Sequence, residues 1–403
     1  MRTAAFGIGA LYIGSTTLTP LYPIYQHAFG FSELTVTEIY AVYVIGNLAV
    51  LFFFGRLSDQ LGRRPTALAA LGVAGLSAAC FLAASGVGWL VAGRVLSGFA
   101  AGLGAAALTA WIAELEPRHD RVRAAAVTSA GNLGGLAFGS LMAGLLATYG
   151  PWPLRTSWVF YLILLVSAVA LLRLTPETVE QPVSSWGELS LRPRIGVPGG
   201  LRAAFTASAS LAFASFALGG FYAALAPGLL MQRMGQTSVA IVGGVVALYF
   251  GVAAIAASAA RRLPRGATLA GAVGLLLLGL ALLLLADAHR AFGLLLGGTV
   301  ISGAAMALGY RSSLQIVDEI APSDRRAELL TSYLLVCYSG NSLPIVSVGL
   351  LSRTAGPGTA HRAFAAVLAL LALVAGGIGG SRRFAEHRPE LSGARGRAEA
   401  AGG

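Results

Sequence analysis

The chain has 403 residues, of which 56% are hydrophobic and only 11% charged, and its mean hydropathy is +0.75. Soluble proteins carry about a quarter charged residues, so the composition excludes a soluble globular domain and specifies a membrane protein. The formal charge of +11 comes from arginine alone, without a single lysine, and the arginines lie between apolar runs rather than in a basic patch, which excludes nucleic acid as the partner.

The missing lysine also removes any Walker A loop, so ATP is excluded as the energy source and no cofactor is expected. Cys80 and Cys337 fall inside apolar runs, where packing rather than a disulfide is their expected role.

Hydropathy and turn signals divide the chain into twelve runs long enough to cross about 30 Å of hydrocarbon. They lie near 4–25, 36–54, 66–86, 88–113, 124–148, 156–174, 203–230, 238–258, 267–286, 291–317, 327–351 and 361–380. The first lacks a small-residue cleavage site and continues through Tyr12, Tyr22 and Tyr25, so it is read as a span rather than a signal peptide. Helical spacing in this run puts Tyr12, Ser15, Thr19 and Tyr22 forward as cavity-facing groups. The second run carries Glu38 near its start and ends at "GRLSDQLGRR", residues 55–64, a dense charged turn before the third. Asp59 and Arg63 are four residues apart, within pairing distance on a helical turn, and Arg64 can reach lipid phosphate or a neighbouring carboxylate. Gly55 and Gly62 permit close helix approach or a positive φ.

The fourth run holds Arg94, an intramembrane charge and therefore a functional candidate, and it ends at Glu114 and Glu116. In the fifth run, "SAGNLGGLAFG" places Gly131, Gly135 and Gly139 at a spacing of four around Asn132, suited to close helix packing or to transport. Residues 175–202 contain Pro176, Pro182, Pro193 and Pro198 and form the longest polar stretch, a linker dividing the spans six and six. The expected domains are therefore a first bundle at 1–174, this linker, a second bundle at 203–381 and a tail at 382–403. In the second bundle, spacing nominates Ser208, Ser215 and Tyr222 in the seventh run and Thr299, Ser302, Met306 and Tyr310 in the tenth. The eleventh holds Asn341 and Pro344, where proline frees a backbone carbonyl. The resulting cavity is expected to be weakly polar and aromatic, with no buried charge in the second half.

Basic residues flanking spans stay cytoplasmic. With both termini inside, only Arg155, Arg233, Arg290, Arg353 and Arg362 face outward, and Arg94 lies within its span. The positive charge is then mostly topology, with some attraction to anionic lipid. The two halves also repeat. Glu114, Pro117, Asp120, Arg121 and Asn132 correspond to Glu319, Pro322, Asp324, Arg325 and Asn341 at offsets of 204 to 209, and "GRLSDQLGRRPT" faces a decayed basic copy, "ASAARRLPRGAT".

Gly55, Leu57, Ser58, Asp59, Gly62, Arg63 and Arg64 resemble the G-x-L-[AS]-D-x-x-G-R-R signature of the major facilitator superfamily, at the place between spans two and three where that family has it. The resemblance implies an all-α membrane fold of twelve helices in two pseudo-symmetric six-helix bundles. It also implies a gate, in which Asp59 and Arg63 act with an acid at the end of span four, Glu114 or alternatively Glu116, to lock the halves together when the cavity faces outward. Arg94 with Gly98 looks like the second family signature, whose arginine tunes a carboxylate in proton-linked exporters; Glu38 is the candidate carboxylate. The fifth span partly resembles the antiporter signature but has Asn132 where proline is expected.

The reading is a secondary transporter of the plasma membrane, exchanging protons for an amphiphilic or hydrophobic small molecule by alternating access. Uptake of a sugar or organic anion is the alternative. Only three asparagines and one intramembrane arginine are available for the dense polar contacts those substrates need. A membrane-embedded enzyme is the distant alternative, since H-E-x-x-H, G-x-S-x-G and paired CxxC motifs are absent.

Overall fold

A computed structural model describes residues 1–55, 57–180 and 195–380. Among these residues there is no strand, and twelve helices are long and apolar enough to span a membrane. They are α1 Arg2–Phe29, α2 Glu33–Phe54, α3 Arg63–Leu82, α4 Val87–Glu114, α5 Arg121–Tyr149, α6 Thr156–Arg173, α7 Gly199–Arg233, α8 Val239–Arg262, α9 Gly266–His289, α10 Phe292–Ile320, α11 Arg326–Ala355 and α12 Pro357–Gly377. Most extend beyond the apolar runs by about a turn, because charged and polar residues at the ends remain helical while reaching out of the hydrocarbon.

Local chemistry sets the boundaries and breaks. Ser32 caps α2 by accepting from the Thr35 backbone N–H at 3.2 Å, and Asp120 caps α5 by accepting from Val122 and Arg123 at 2.9 and 3.1 Å. In α1, Pro20 and Pro23 lack backbone donors, so the helix passes through a tight 3₁₀ turn at Thr19–Leu21 before resuming. Pro227 in α7 lies between two π turns, Phe221–Leu225 and Leu229–Arg233. Pro344 sits inside an α11 that remains a continuous helix.

The six helices of each half pack through small residues, and the packing repeats. A side chain at Gly98 of α4 would collide with the Tyr43 carbonyl of α2, and one at Gly303 of α10 with the Tyr249 carbonyl of α8. Gly135 of α5 lies on the Gly9 carbonyl of α1 as Gly340 of α11 lies on the Phe213 carbonyl of α7. These equivalent residues are 204 to 206 apart, the half-chain offset of the sequence repeat. By that measure Asn341 falls opposite Leu136 rather than Asn132, one turn out of register with the sequence pairing, and the two asparagines have different partners.

The halves meet along two seams. Leu34 and Thr37 of α2 pack on Gly349 of α11, and the seam continues to Tyr43 and Leu48 beside Tyr338. Gly144 of α5 lies against Gly243 of α8, where Thr148 accepts a hydrogen bond from the Ala240 N–H at 2.9 Å. The α5–α8 seam lies toward the end of the bundle opposite the charged 55–64 turn, and the α2–α11 seam runs from that end to past the middle of the helices.

Candidate functional site

At the arginine-rich end, a short helix at Leu57–Leu61 and α3 are joined by Gly62, whose φ of 106° belongs to glycine. Gly55 has an ordinary right-handed φ of −59°, so only Gly62 uses its conformational freedom here. The turn delivers Arg63 into a buried fork. Its Nε donates to both Glu114 oxygens at 3.1 and 3.2 Å, its Nη2 to Glu114 Oε1 at 2.7 Å, and its Nη1 to Ser58 Oγ at 2.8 Å and to Asp59. Bidentate pairing of this kind fixes the guanidinium plane as well as its charge. The Asp59 side chain is still 58% exposed and the Arg64 side chain is exposed. Glu116 is engaged elsewhere: buried, it accepts from the Arg118 and Asp120 N–H groups at 2.7 and 2.8 Å and so shapes the α4–α5 turn.

The linker supplies two partners that sequence reasoning missed. Glu177 accepts from the Arg63 and Arg64 N–H groups at 2.9 and 2.8 Å, capping α3, and Thr178 donates to Glu114. Burial opposes ionisation of Glu177, but the backbone N–H donors of Val179, Arg64, Arg63 and Thr178 prevail and hold its carboxyl below the usual range. These partners of Arg63 all belong to the first half or the adjoining linker.

About two turns into α4 from the end opposite the 55–64 turn, Arg94 is 1% exposed. Its Nε and Nη2 donate to the Tyr22 hydroxyl at 3.1 and 2.7 Å, its Nη1 donates to the Ser15 carbonyl at 2.8 Å, and the rings of Tyr22, Tyr40 and Tyr43 lie 5.5 to 5.8 Å from its charge. Among the described residues no carboxylate bonds it. Glu38 is exposed, on a different face of α2 from the buried Tyr40, so the structure does not bring Glu38 to Arg94. Ser15 also shares a hydrogen bond with Tyr43 at 3.3 Å, and Tyr40 donates to Asn341 at 3.1 Å across the halves. The i, i+3, i+7 spacing of Tyr40, Tyr43 and Asn47 was the available signal for this face of α2.

Beyond this layer, toward the arginine-rich end, Tyr12, Asn132, Phe216, Met306, Tyr310 and Tyr338 are partly exposed. Phe216 packs edge-on against Tyr310 and Tyr338 at 5.5 and 6.3 Å, and Asn132 lies within hydrogen-bonding reach of Tyr12. Other cavity candidates are buried away from this surface. Thr19 is enclosed, Ser208 donates to the Ser313 carbonyl, and Ser215 bonds back to the Leu211 carbonyl at 2.7 Å while packing on Gly309. Tyr222 stacks on Tyr249 at 4.2 Å with Thr299 and Ser302 buried beside it. Helical spacing finds which residues face inward but not how deep a neighbouring helix covers them.

The expectation of no buried charge in the second half is overturned. Asp287 of α9 and His361 of α12 are 7% and 9% exposed and lie together at the end opposite the 55–64 turn. The apolar run ends at 286, so Asp287 reads as a loop residue in sequence, whereas α9 continues through His289.

Two repeated bundles of six membrane-length helices around a central, partly exposed aromatic surface define a small-molecule membrane transporter. The chain belongs to the Major Facilitator Superfamily, whose family model matches residues 4–345. It is 24% identical over 142 residues to the quinolone resistance protein NorA of Staphylococcus aureus, covering 34% of this chain and 37% of NorA. It is 32% identical over 169 residues to the puromycin resistance protein pur8 of Streptomyces alboniger, covering 41% and 32%. The matches thus span about a third of these relatives' lengths. The human organic anion transporter MFSD10 shares the fold with a TM-score of 0.66 at 18% identity, covering 93% of this chain and 98% of that one. A bacterial homolog of the human lysosomal transporter Spinster, in an inward-facing and unoccupied conformation, does so with 0.62 at 15% identity, covering 94% and 92%.

Proposed function

We propose that this transporter exports an amphiphilic or hydrophobic small molecule across the plasma membrane in exchange for protons, by alternating access between bundles 1–174 and 203–381. Both termini and the 175–202 linker are cytoplasmic in this reading, so the end carrying Arg63 faces inward and the seams close the outer end. The observation that supports it is the central surface: Tyr12, Phe216, Met306, Tyr310 and Tyr338 offer ring faces and a thioether, with three phenol hydroxyls and the Asn132 amide as its hydrogen-bonding groups. Such a lining favours flat apolar molecules and gives a sugar little to bond to. The drug-resistance names of NorA and pur8 agree with this direction. The Asp59–Arg63–Glu114 cluster acts as the inner latch, in which Arg63 stays on Glu114 while Asp59, paired with Arg63 but 58% exposed, turns to meet the second half when the inner ends close.

One observation supports a second reading. Among the described residues the charge of Arg94 is met by neutral oxygens and rings alone, which leaves the centre positive and suited to an organic anion. A growth-inhibition panel in a strain stripped of its own exporters, followed by fluorescence quenching in everted vesicles, separates the two. Protection against hydrophobic cations or neutral compounds, with quenching reversed on energisation, is expected. Accumulation of a labelled organic anion in cells without any protection overturns export in favour of uptake.

A further inference from the structure

At the outer end, three helices of the second half bring charged side chains into one place. His361 Nδ1 of α12 lies 3.0 Å from Asp287 Oδ2 of α9, and Arg233 Nε of α7 forms an ion pair with Asp287 Oδ1 at 2.6 Å. Arg233 and His361 of this group line a cavity of about 70 Å³ between the halves, and Asp287 sits behind them beside Leu283 and Phe364. That is room for a few waters and too small for a drug-sized molecule, whose pockets run to about 300 Å³ or more. Across the cavity stands Glu33 of α2, beside Gly228 of α7, and Tyr22, the partner of Arg94, forms part of its wall. The charged or titratable side chains lining this space are Arg233 from α7, His361 from α12, Glu33 from α2 and the Tyr22 phenol from α1, and Asp287 of α9 reaches it only through Arg233 and His361. Its α1 and α11 walls add Gln26, Gly349 and Ser352, which do not titrate. His27, His289, Arg290, Arg353 and Arg362 at the same end are exposed.

We propose that the Asp287–His361 pair is a proton-binding site open to the outer compartment, and that its protonation favours closure of the outer ends. The inference rests on the orientation and proton exchange proposed above. With a neutral imidazole, Arg233 and Asp287 cancel, and the second-half wall carries no net charge. An imidazolium at His361 leaves that wall with one net positive charge opposite Glu33, in a narrow space where screening is weak. The attraction draws α7 and α12 toward α2, which is the packed arrangement observed. Release of the proton removes it and favours opening. An exporter that takes up a proton outside after releasing substrate needs this order, because proton binding then drives closure over the emptied site.

The test uses intact cells expressing the full chain with Cys80→Ser and Cys337→Ala. Val348→Cys, buried on α11 beside the cavity, reports opening through its reaction with a membrane-impermeant maleimide. Labelling is divided by that of exposed Thr237→Cys at the same pH, which removes the pH dependence of the thiol itself. The ratio should fall at least threefold as the outer pH is lowered from about 8 to about 5, the range in which imidazoles change charge. His361→Gln, permanently neutral, should hold the ratio high at every pH, and His361→Arg, permanently charged, should hold it low. A parental ratio that ignores pH overturns the site. So does movement of both variants in the same direction, since that marks a packing role. Transport in the same cells is scored separately: a ratio that titrates normally while transport ignores the pH gradient refutes proton exchange and leaves the site standing.

Discussion

The Tyr40 hydroxyl of the first half donates to Oδ1 of Asn341 in the second at 3.1 Å, and the same Tyr40 ring lies 5.7 Å from the charge of Arg94. One side chain therefore joins the buried arginine to the helix seam between the bundles. Three residues past Asn341, Pro344 leaves the Gly340 carbonyl without its helical donor, which softens α11 beside this contact.

Tyr40→Phe removes the cross-half hydrogen bond and keeps the ring beside Arg94. Such a bond contributes about 1 kcal/mol, so the balance between outer-closed and outer-open states should shift roughly fivefold toward opening. Spin labels on α2 and α11 at the outer end would measure the change as a longer distance population. An unchanged distribution would reduce the contact to packing.

The latch residues should differ in severity. Asp59→Asn leaves Arg63 on Glu114 and Ser58, so the protein should insert and melt normally while transport falls at least tenfold. Glu114→Gln removes the bidentate partner of a buried guanidinium, so it should also lower the melting temperature. Equal thermal stability for the two variants, or unimpaired transport in Asp59→Asn, would return the cluster to a role in topology.

How much of this was legible follows from which interactions are local. The twelve spans, the six-plus-six division and the pairing of Asp59 with Arg63 rest on hydropathy and helical spacing, and the structure contains them. Glu177 was hidden because its partners, Arg63 and Arg64, lie more than 110 residues away and offer backbone groups, which no side-chain pattern announces. Asp287 was hidden by one residue of hydropathy: it follows the last apolar position of its run, and only the register of α7 and α12 covers it. The contact drawn between Glu38 and Arg94 is not made in this conformation, because depth in the membrane is not direction around a helix.

Glu177 makes stability at the inner end depend on pH in a definite direction. Its carboxyl is held below the ordinary range in the folded protein, so its contribution is present above the unfolded carboxylate pKa, about 4.3. That contribution is lost as pH falls through the lower folded value. Glu177→Gln should therefore be less stable than the parent at neutral pH, with the gap closing under strong acid. Proteolysis at the linker, followed from neutral pH to about pH 3, reads both effects. A gap that stays constant would show that the capping bonds do not depend on ionisation.

Topology can be checked with two cysteines. Ser184, in the linker outside the described residues, and Thr237, exposed between α7 and α8, should react with impermeant reagents from opposite sides. In intact cells only the Thr237 position should label, and Ser184 should label after permeabilisation. Reaction of both from one side would invert the assignment of inner and outer ends.

Arg94 carries the last prediction. A guanidinium does not release a proton at any physiological pH, so its part in the cycle is to hold charge and geometry. Arg94→Lys keeps the charge but replaces the fork with a single ammonium, which cannot bond Tyr22 and the Ser15 carbonyl in the same plane. It should retain the fold and lose at least tenfold in transport, whereas Arg94→Met, unbranched and neutral, tests whether the charge matters once the bonds are gone. For an apolar or cationic substrate, Arg94→Met should bind at least as tightly as Arg94→Lys; for an anionic substrate it should bind far more weakly. Glu38→Gln, altering an exposed carboxylate with no contact to this pocket, should leave proton dependence intact. Loss of that dependence in Glu38→Gln would place the coupling carboxylate on α2 after all and would require a conformation in which α2 turns Glu38 toward Arg94.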